Sequence, residues 1–181
     1  MRAPRFLLCL GAALLLAAGA NATPITPNTD LSGTVHDGEN HTAANGQNSN
    51  LTLASFVGTN LTSANLRNVT AVGADFTNAT FSATQLRDGD FTNAIFDGVT
   101  LNAQVRDADF SGASFLGADL SGATNWALAT WTGALFDAST ILPAGMDPGA
   151  EGMVLLVSEP QTAALLGLGL LGLGVFGRPR S

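Results

Sequence analysis

From Leu51 to Phe136 a large apolar residue returns at nearly every fifth position: Leu51, Phe56, Leu61, Leu66, then Phe76, Phe81, Leu86, Phe91, Phe96 and Leu101. An amphipathic helix repeats every 3.6 residues and a half-buried strand every 2, so a period of five fits neither. Two residues before each centre the side chain is small, alanine in 11 of 18 units, which leaves room beside a large neighbour in a narrow interior. Two residues after it come Gly, Asn or Asp, as at Gly73, Asn78, Asp88, Asn93 and Gly112, the residues that tolerate a tight corner. Each unit therefore reads as a short extended piece ending in a corner. The period continues through Val105, Phe110, Phe115, Leu120, Trp126, Trp131 and Phe136. It loses one residue between Leu101 and Val105 and gains one between Leu120 and Trp126.

The segments "ANLRN", "ADFTN", "ADFSG" and "ADLSG" resemble the A-(D/N)-L-x-x unit of the pentapeptide-repeat family, over residues 49–137. The resemblance implies an all-β fold, a right-handed quadrilateral β-helix with four units to a coil, the centre and the small residue pointing inward. Stacked coils would then pair their backbones about 4.8 Å apart. In that register Phe56, Phe76, Phe96, Phe115 and Phe136 form one core column. Arg67, Arg87 and Arg106 stack on another side among Asp88, Asp90, Asp107 and Asp109, which reads as a self-neutralising charge strip; calcium needs six or more oxygens, and these carboxylates are split across a corner. A third side carries Thr52, Val72, Thr92, Ser111 and Thr132, as strand preference on an exposed face explains.

The flanks read differently. Residues 1–22 place Arg2 and Arg5 before an apolar run and end in the small pair Ala20 and Ala22, the pattern of a signal peptide cut after Ala22, and are expected to form a signal helix. The only cysteine, Cys9, lies inside this run, so the mature chain has no disulfide. Residues 23–48 are polar, rich in Gly, Asn and Thr and without periodicity, which predicts a flexible linker; the "HDGENH" set of His36, Asp37, Glu39 and His41 is then an unconverged part of that linker and not a metal site. Residues 138–157 resemble a tail found after pentapeptide repeats, with Ile141, Leu142 and Met146 placed to cover the open end of the coil. Residues 158–181 carry Glu159-Pro160, a Gly-punctuated apolar run and the basic close Arg178 and Arg180. With Val157 and Ser158 they resemble a PEP-CTERM sorting signal, with a hydrophobic helix that holds the chain in the inner membrane.

Residues 23–158 hold 13 acidic side chains against three arginines and no lysine, a net charge of −10, which disfavours binding to nucleic-acid phosphate. Cytosolic members of the family mimic DNA and bind topoisomerases, a role that export would remove. No Ser/His/Asp or Cys/His set and no phosphate-binding glycine loop is present, so neither enzyme activity nor a cofactor is expected. The sequence thus points to a non-catalytic exported scaffold of a Gram-negative bacterium. Signal peptidase and an exosortase would process it, with exopolysaccharide or surface proteins as neighbours at the cell surface or in the matrix. The alternative is an extracellular binding module that recognises polysaccharide, cation or solid surface through a flat side.

Overall fold

The computed structural model describes residues 24–157. The expected signal helix with Ala20 and Ala22, and the terminal segment with Ser158, Glu159, Pro160, Arg178, Arg180 and its expected hydrophobic helix, lie outside the described residues. The rest is a four-sided β-helix in which each side pairs, in parallel, with the side twenty residues later. One face runs through seven levels, Val35, Ser55, Asp75, Ile95, Ser114, Leu135 and Val154. Six steps of about 4.8 Å give a stack about 29 Å tall. That is longer than the four and a half coils that 18 units would make, because Val35 adds a level before Leu51 and Val154 adds one after Phe136.

The corner chemistry explains the five-residue unit. At a representative corner the Leu31 carbonyl accepts the Thr34 N–H at 3.1 Å, and Gly33 between them has φ 64°. A turn of this kind needs a positive φ at its third residue. Asn fills that place at Asn28, Asn48, Asn68, Asn78 and Asn93; Ala43, Leu53, Ser63 and Ala83 adopt it at a cost of about 1 kcal/mol each. Where the residue before the centre is Asp or Asn, it can supply a second lock. Asp30, Asn50, Asp75, Asp90, Asp109 and Asp119 each turn Oδ1 to accept the N–H two residues on, at 2.8 to 3.1 Å. This bond explains the Asp/Asn of the repeat and holds the Asp30 carboxyl below its ordinary value.

The interior is a set of ring and aliphatic columns. Phe56, Phe76, Phe96 and Phe115 are fully buried and stack face to face, with ring centres 5.4, 5.1 and 5.2 Å apart. Phe136 sits above them only half-buried. A second column stacks Phe91, Phe110 and Trp131 at 5.2 and 4.8 Å.

Both irregularities have structural consequences. The unit ending at Val105 is one residue short and has no left-handed corner, so the chain runs straight as strand β2, Thr100–Gln104. It pairs with β1, Thr80–Gln85, which accommodates the difference with a bulge between Ser82 and Thr84. One coil later Gly122 lies against Asn102, where an added Cβ would stand 3.0 Å from the Asn102 Cβ. The extra residue falls after Thr124 and not before it. Ala123 is the buried small residue of that unit, and Trp126 is no core centre but a half-buried member of a 3-10 turn, Trp126–Leu128. Its carbonyl accepts the Trp131 indole N–H at 2.9 Å.

Two further expectations are corrected. Residues 24–48 are not a linker: Asp30, Val35, Asn40 and Asn45 bridge to Asn50, Ser55, Asn60 and Asn65 as one more coil. Their corners, Gly33, Gly38, Ala43 and Asn48, keep the five-residue spacing although the centres are Leu31, His36, His41 and Gly46. Gly46 is a centre without a side chain because Ile25 and Leu66 fill its space, with methyl groups 2.6 and 2.9 Å from where a Cβ would lie. At the other end Leu142 and Met146 pack on the core, but Ile141 is 53% exposed, since it continues the outer ladder from Asp119 and the buried cover comes from Pro143 and Met153. Asp137 organises this tail. It accepts the N–H groups of Ser139, Thr140 and Gly117 and the Ser139 hydroxyl at 2.7 Å. β3, Leu135–Phe136, then pairs with β4, Val154–Leu155.

Two predictions rest on this architecture. Phe96→Ala empties the middle of a ring stack and should destabilise by about 3 to 5 kcal/mol, whereas Thr92→Ala removes one surface hydroxyl bond to Asp90 and should cost about 1 kcal/mol; equal shifts in the urea midpoint would refute the register. The Asp137 carboxyl is lowered to about 2, first by its bond to the Ser139 side chain. A depressed folded value means that its stabilisation is complete above about pH 4 and is lost as pH falls toward 2. Asp137→Ala should therefore be less stable than the parent at pH 7, with the gap closing between pH 4 and 2 in guanidinium melts.

Candidate functional site

The side chains of His36, Glu39 and His41 meet at the N-terminal end of the β-helix. His36 and His41 are successive centres on adjacent sides, and Glu39 is the inward small-residue position between them, where most units have alanine. Both imidazoles are buried, at 3% and 4% exposure. His36 lies flat under Phe56, ring centres 4.9 Å apart and 12° from parallel, and so extends the phenylalanine column downward; His41 meets His36 edge-on at 5.4 Å. One carboxylate oxygen, Glu39 Oε2, lies 2.9 Å from His36 Nδ1 and 2.8 Å from His41 Nε2. The Glu39 side chain is 24% exposed and gives the cluster its access to solvent. Burial holds His41 below the ordinary imidazole value, with the Glu39 bond opposing that shift. Asp37 does not join the cluster; it turns outward and its Oδ1 accepts the Ser55 hydroxyl at 2.6 Å and the Val57 N–H at 3.0 Å.

The other sequence-derived surfaces are less cooperative. Of the strip arginines only Arg106 reaches a carboxylate, with Nε 2.9 Å from Asp107 Oδ2. Arg67 and Arg87 have their Nε buried and without a partner among the described residues. Asp90 and Asp109 are occupied by their own corners, and Asp88 stands at a left-handed one. On the threonine face the hydroxyls of Thr52 and Thr92 donate to Asn50 and Asp90 of their own units, so they serve the corners and not a free ladder. A shallow hollow lies over the bulge between Ala83–Gln85 and Asn102–Gln104, without a charged side chain.

The repeat geometry can be set against known proteins. The model of the family described as "Pentapeptide repeats" matches residues 59–98 and 100–124 in eight copies. Among solved structures, alr5209, a pentapeptide repeat protein from Nostoc Pcc 7120, is 31% identical over 56% of this chain and 84% of its own, with a TM-score of 0.55. The chain belongs to the pentapeptide-repeat family. Its fold is accordingly the right-handed quadrilateral β-helix of that family. This pentapeptide-repeat protein is also similar to AT2G44920 from the Arabidopsis thaliana thylakoid lumen, at 21% identity over 79% of this chain and 78% of that one, TM-score 0.40. QnrB1, a plasmid-mediated fluoroquinolone resistance protein, is 25% identical over 81% of this chain and 82% of its own, TM-score 0.31. No curated protein matches the sequence.

A prediction follows from the unpaired arginines. If the strip were a stabilising ion-pair network, removing Arg87 would cost stability. Because its Nε is buried without a partner, Arg87→Met should leave the urea midpoint unchanged or raise it, within about 1 kcal/mol; a larger loss would show that the strip is coupled.

Proposed function

We propose that this pentapeptide-repeat protein is a non-catalytic scaffold, exported and sorted by an exosortase-type system to the cell surface or exopolysaccharide matrix. The observation that carries this reading is the terminal order: a basic and apolar start ending at Ala20 and Ala22, and a close built of Val157, Ser158, Glu159, Pro160, an apolar run, Arg178 and Arg180. The β-helix is compatible with removal of that close, since among the described residues the last backbone bond runs from the Leu156 N–H to the Phe136 carbonyl at 2.7 Å. Val157, the first residue of that close, is 71% exposed. The repeat surface also suits a scaffold. Its carboxylates and hydroxyls are largely engaged in their own corners, and among the described residues no helix is long and apolar enough to cross a membrane.

In this reading the C-terminal run holds the chain in the inner membrane with Arg178 and Arg180 on the cytoplasmic side, and a sorting enzyme cuts beside Glu159-Pro160. Deleting residues 158–181 should leave the melting temperature unchanged while altering where the protein accumulates. Intact-mass analysis of protein from a host that possesses an exosortase should find a species lacking both the first 22 residues and everything after about Pro160. A mature chain still ending at Ser181 would make the tail an anchor and overturn the sorting step.

A further inference from the structure

The hydroxyl of Thr34 donates to the Leu31 carbonyl at 2.6 Å, which uses its only proton. The same oxygen lies 2.9 Å from His36 Nε2 and must therefore accept there, so Nε2 carries hydrogen. A neutral His36 then presents the bare lone pair of Nδ1 to Glu39 Oε2 at 2.9 Å, two electron pairs in hydrogen-bond contact. Either a proton or a metal ion has to lie between them. His41 Nε2 faces the same oxygen at 2.8 Å, and one ligand atom from each of the three residues falls within 4.8 Å of the others.

We propose that His36 Nδ1, Glu39 and His41 Nε2 bind a borderline divalent cation of the zinc class at the N-terminal end of the β-helix. Two imidazoles and a carboxylate are donors that suit such an ion and not calcium or magnesium. Bond lengths of about 2.0 to 2.2 Å place ligand atoms of a tetrahedral ion about 3.4 Å apart. The carboxylate therefore has to withdraw by about half an ångström, toward the solvent side where Glu39 is exposed, and the two imidazole nitrogens, within 4.8 Å of each other, have to approach by as much as about 1.4 Å. Thr34 supplies the outer partner that such a site requires, fixing the His36 tautomer and ring plane. Water fills the open position through the exposed edge of Glu39. The ion would tie two adjacent sides of the first coil across their corner and neutralise a carboxylate placed in a core position. This is a structural role, separate from the sorting of the chain.

Isothermal titration of the full chain with Zn²⁺, alongside melting followed by circular dichroism, tests the site. One ion per chain is expected, with a melting temperature that rises with free Zn²⁺. Glu39→Gln keeps the shape of the side chain but replaces the charged carboxylate by a neutral amide with one acceptor oxygen, and should abolish the rise. Thr34→Val leaves all three ligands in place and should weaken binding by about 10- to 100-fold. Absence of Zn²⁺ uptake by the parent chain would overturn the proposal, as would equal uptake by His36→Asn. Nitrogen-15 spectra showing His36 protonated on both nitrogens at saturating Zn²⁺ would also overturn it, identifying the positive element as a proton.

Discussion

The structure depends on one constraint, that the backbone turns a corner through a left-handed residue at nearly every fifth position. Only then does each side lie over the side twenty residues later, with its N–H and C=O groups directed along the stack. The bond from the Phe56 N–H to the Asp75 carbonyl at 2.7 Å and that from the Asp75 N–H to the Ala54 carbonyl at 2.9 Å are one instance of a ladder that recurs up the coil. Once the corner is fixed, the inward positions follow by geometry. They form columns because identical backbone places stack, and the rings of Phe56, Phe76, Phe96 and Phe115 lie face to face because adjacent coils are one strand spacing apart. The centre residue is thus a consequence of the corner and not its cause.

That ordering explains what was legible in the sequence. Between Leu51 and Leu120 the period appears in large apolar centres, and the buried column and small inward alanines can be read directly. The first coil was hidden because, after Leu31, its centres are His36, His41 and Gly46, which carry no apolar signal, while the corners Gly33, Gly38, Ala43 and Asn48 maintain the spacing. Reading corners ahead of centres would have found it. The same bias misplaced the added residue near Trp126. A tryptophan looks like a centre, but the buried alanine is Ala123, and the surplus residue is taken up in a 3-10 turn that leaves Trp126 at the edge.

The candidate site was hidden for the same reason. In a polar segment without periodicity His36, Glu39 and His41 have nothing to bring them together, and a linker is the natural inference. Wound into a coil, residues two and three apart project inward on either side of one corner. The repeat therefore converges side chains that neither helix nor hairpin spacing would. The charge strip fails in the opposite sense: stacking of Arg67 and Arg87 at coil spacing is real in the sequence, but among the described residues the Nε of neither has a partner, and Asp90 and Asp109 are committed to corner N–H groups while Asp107 pairs with Arg106.

A carboxylate in a small-residue core position is the departure from pattern with the most chemical content. Alanine at that position costs nothing to bury, whereas an ionised Glu39 without partners would cost several kcal/mol. The chain offsets this cost with two imidazoles and a threonine whose hydroxyl is already spent. The cluster stands at the end of the ring column, where His36 takes the place of a phenylalanine under Phe56 and keeps the stack closed with a ring that also has polar nitrogens. An end coil lacks a described neighbour on one side, so cross-bracing by polar contacts is most useful there. At the opposite end Asp137 does the equivalent work through Ser139, Thr140 and Gly117. The two ends are thus held by directional polar contacts and the middle by stacked rings, which is the division expected of a solenoid whose terminal units have no second coil to pack against.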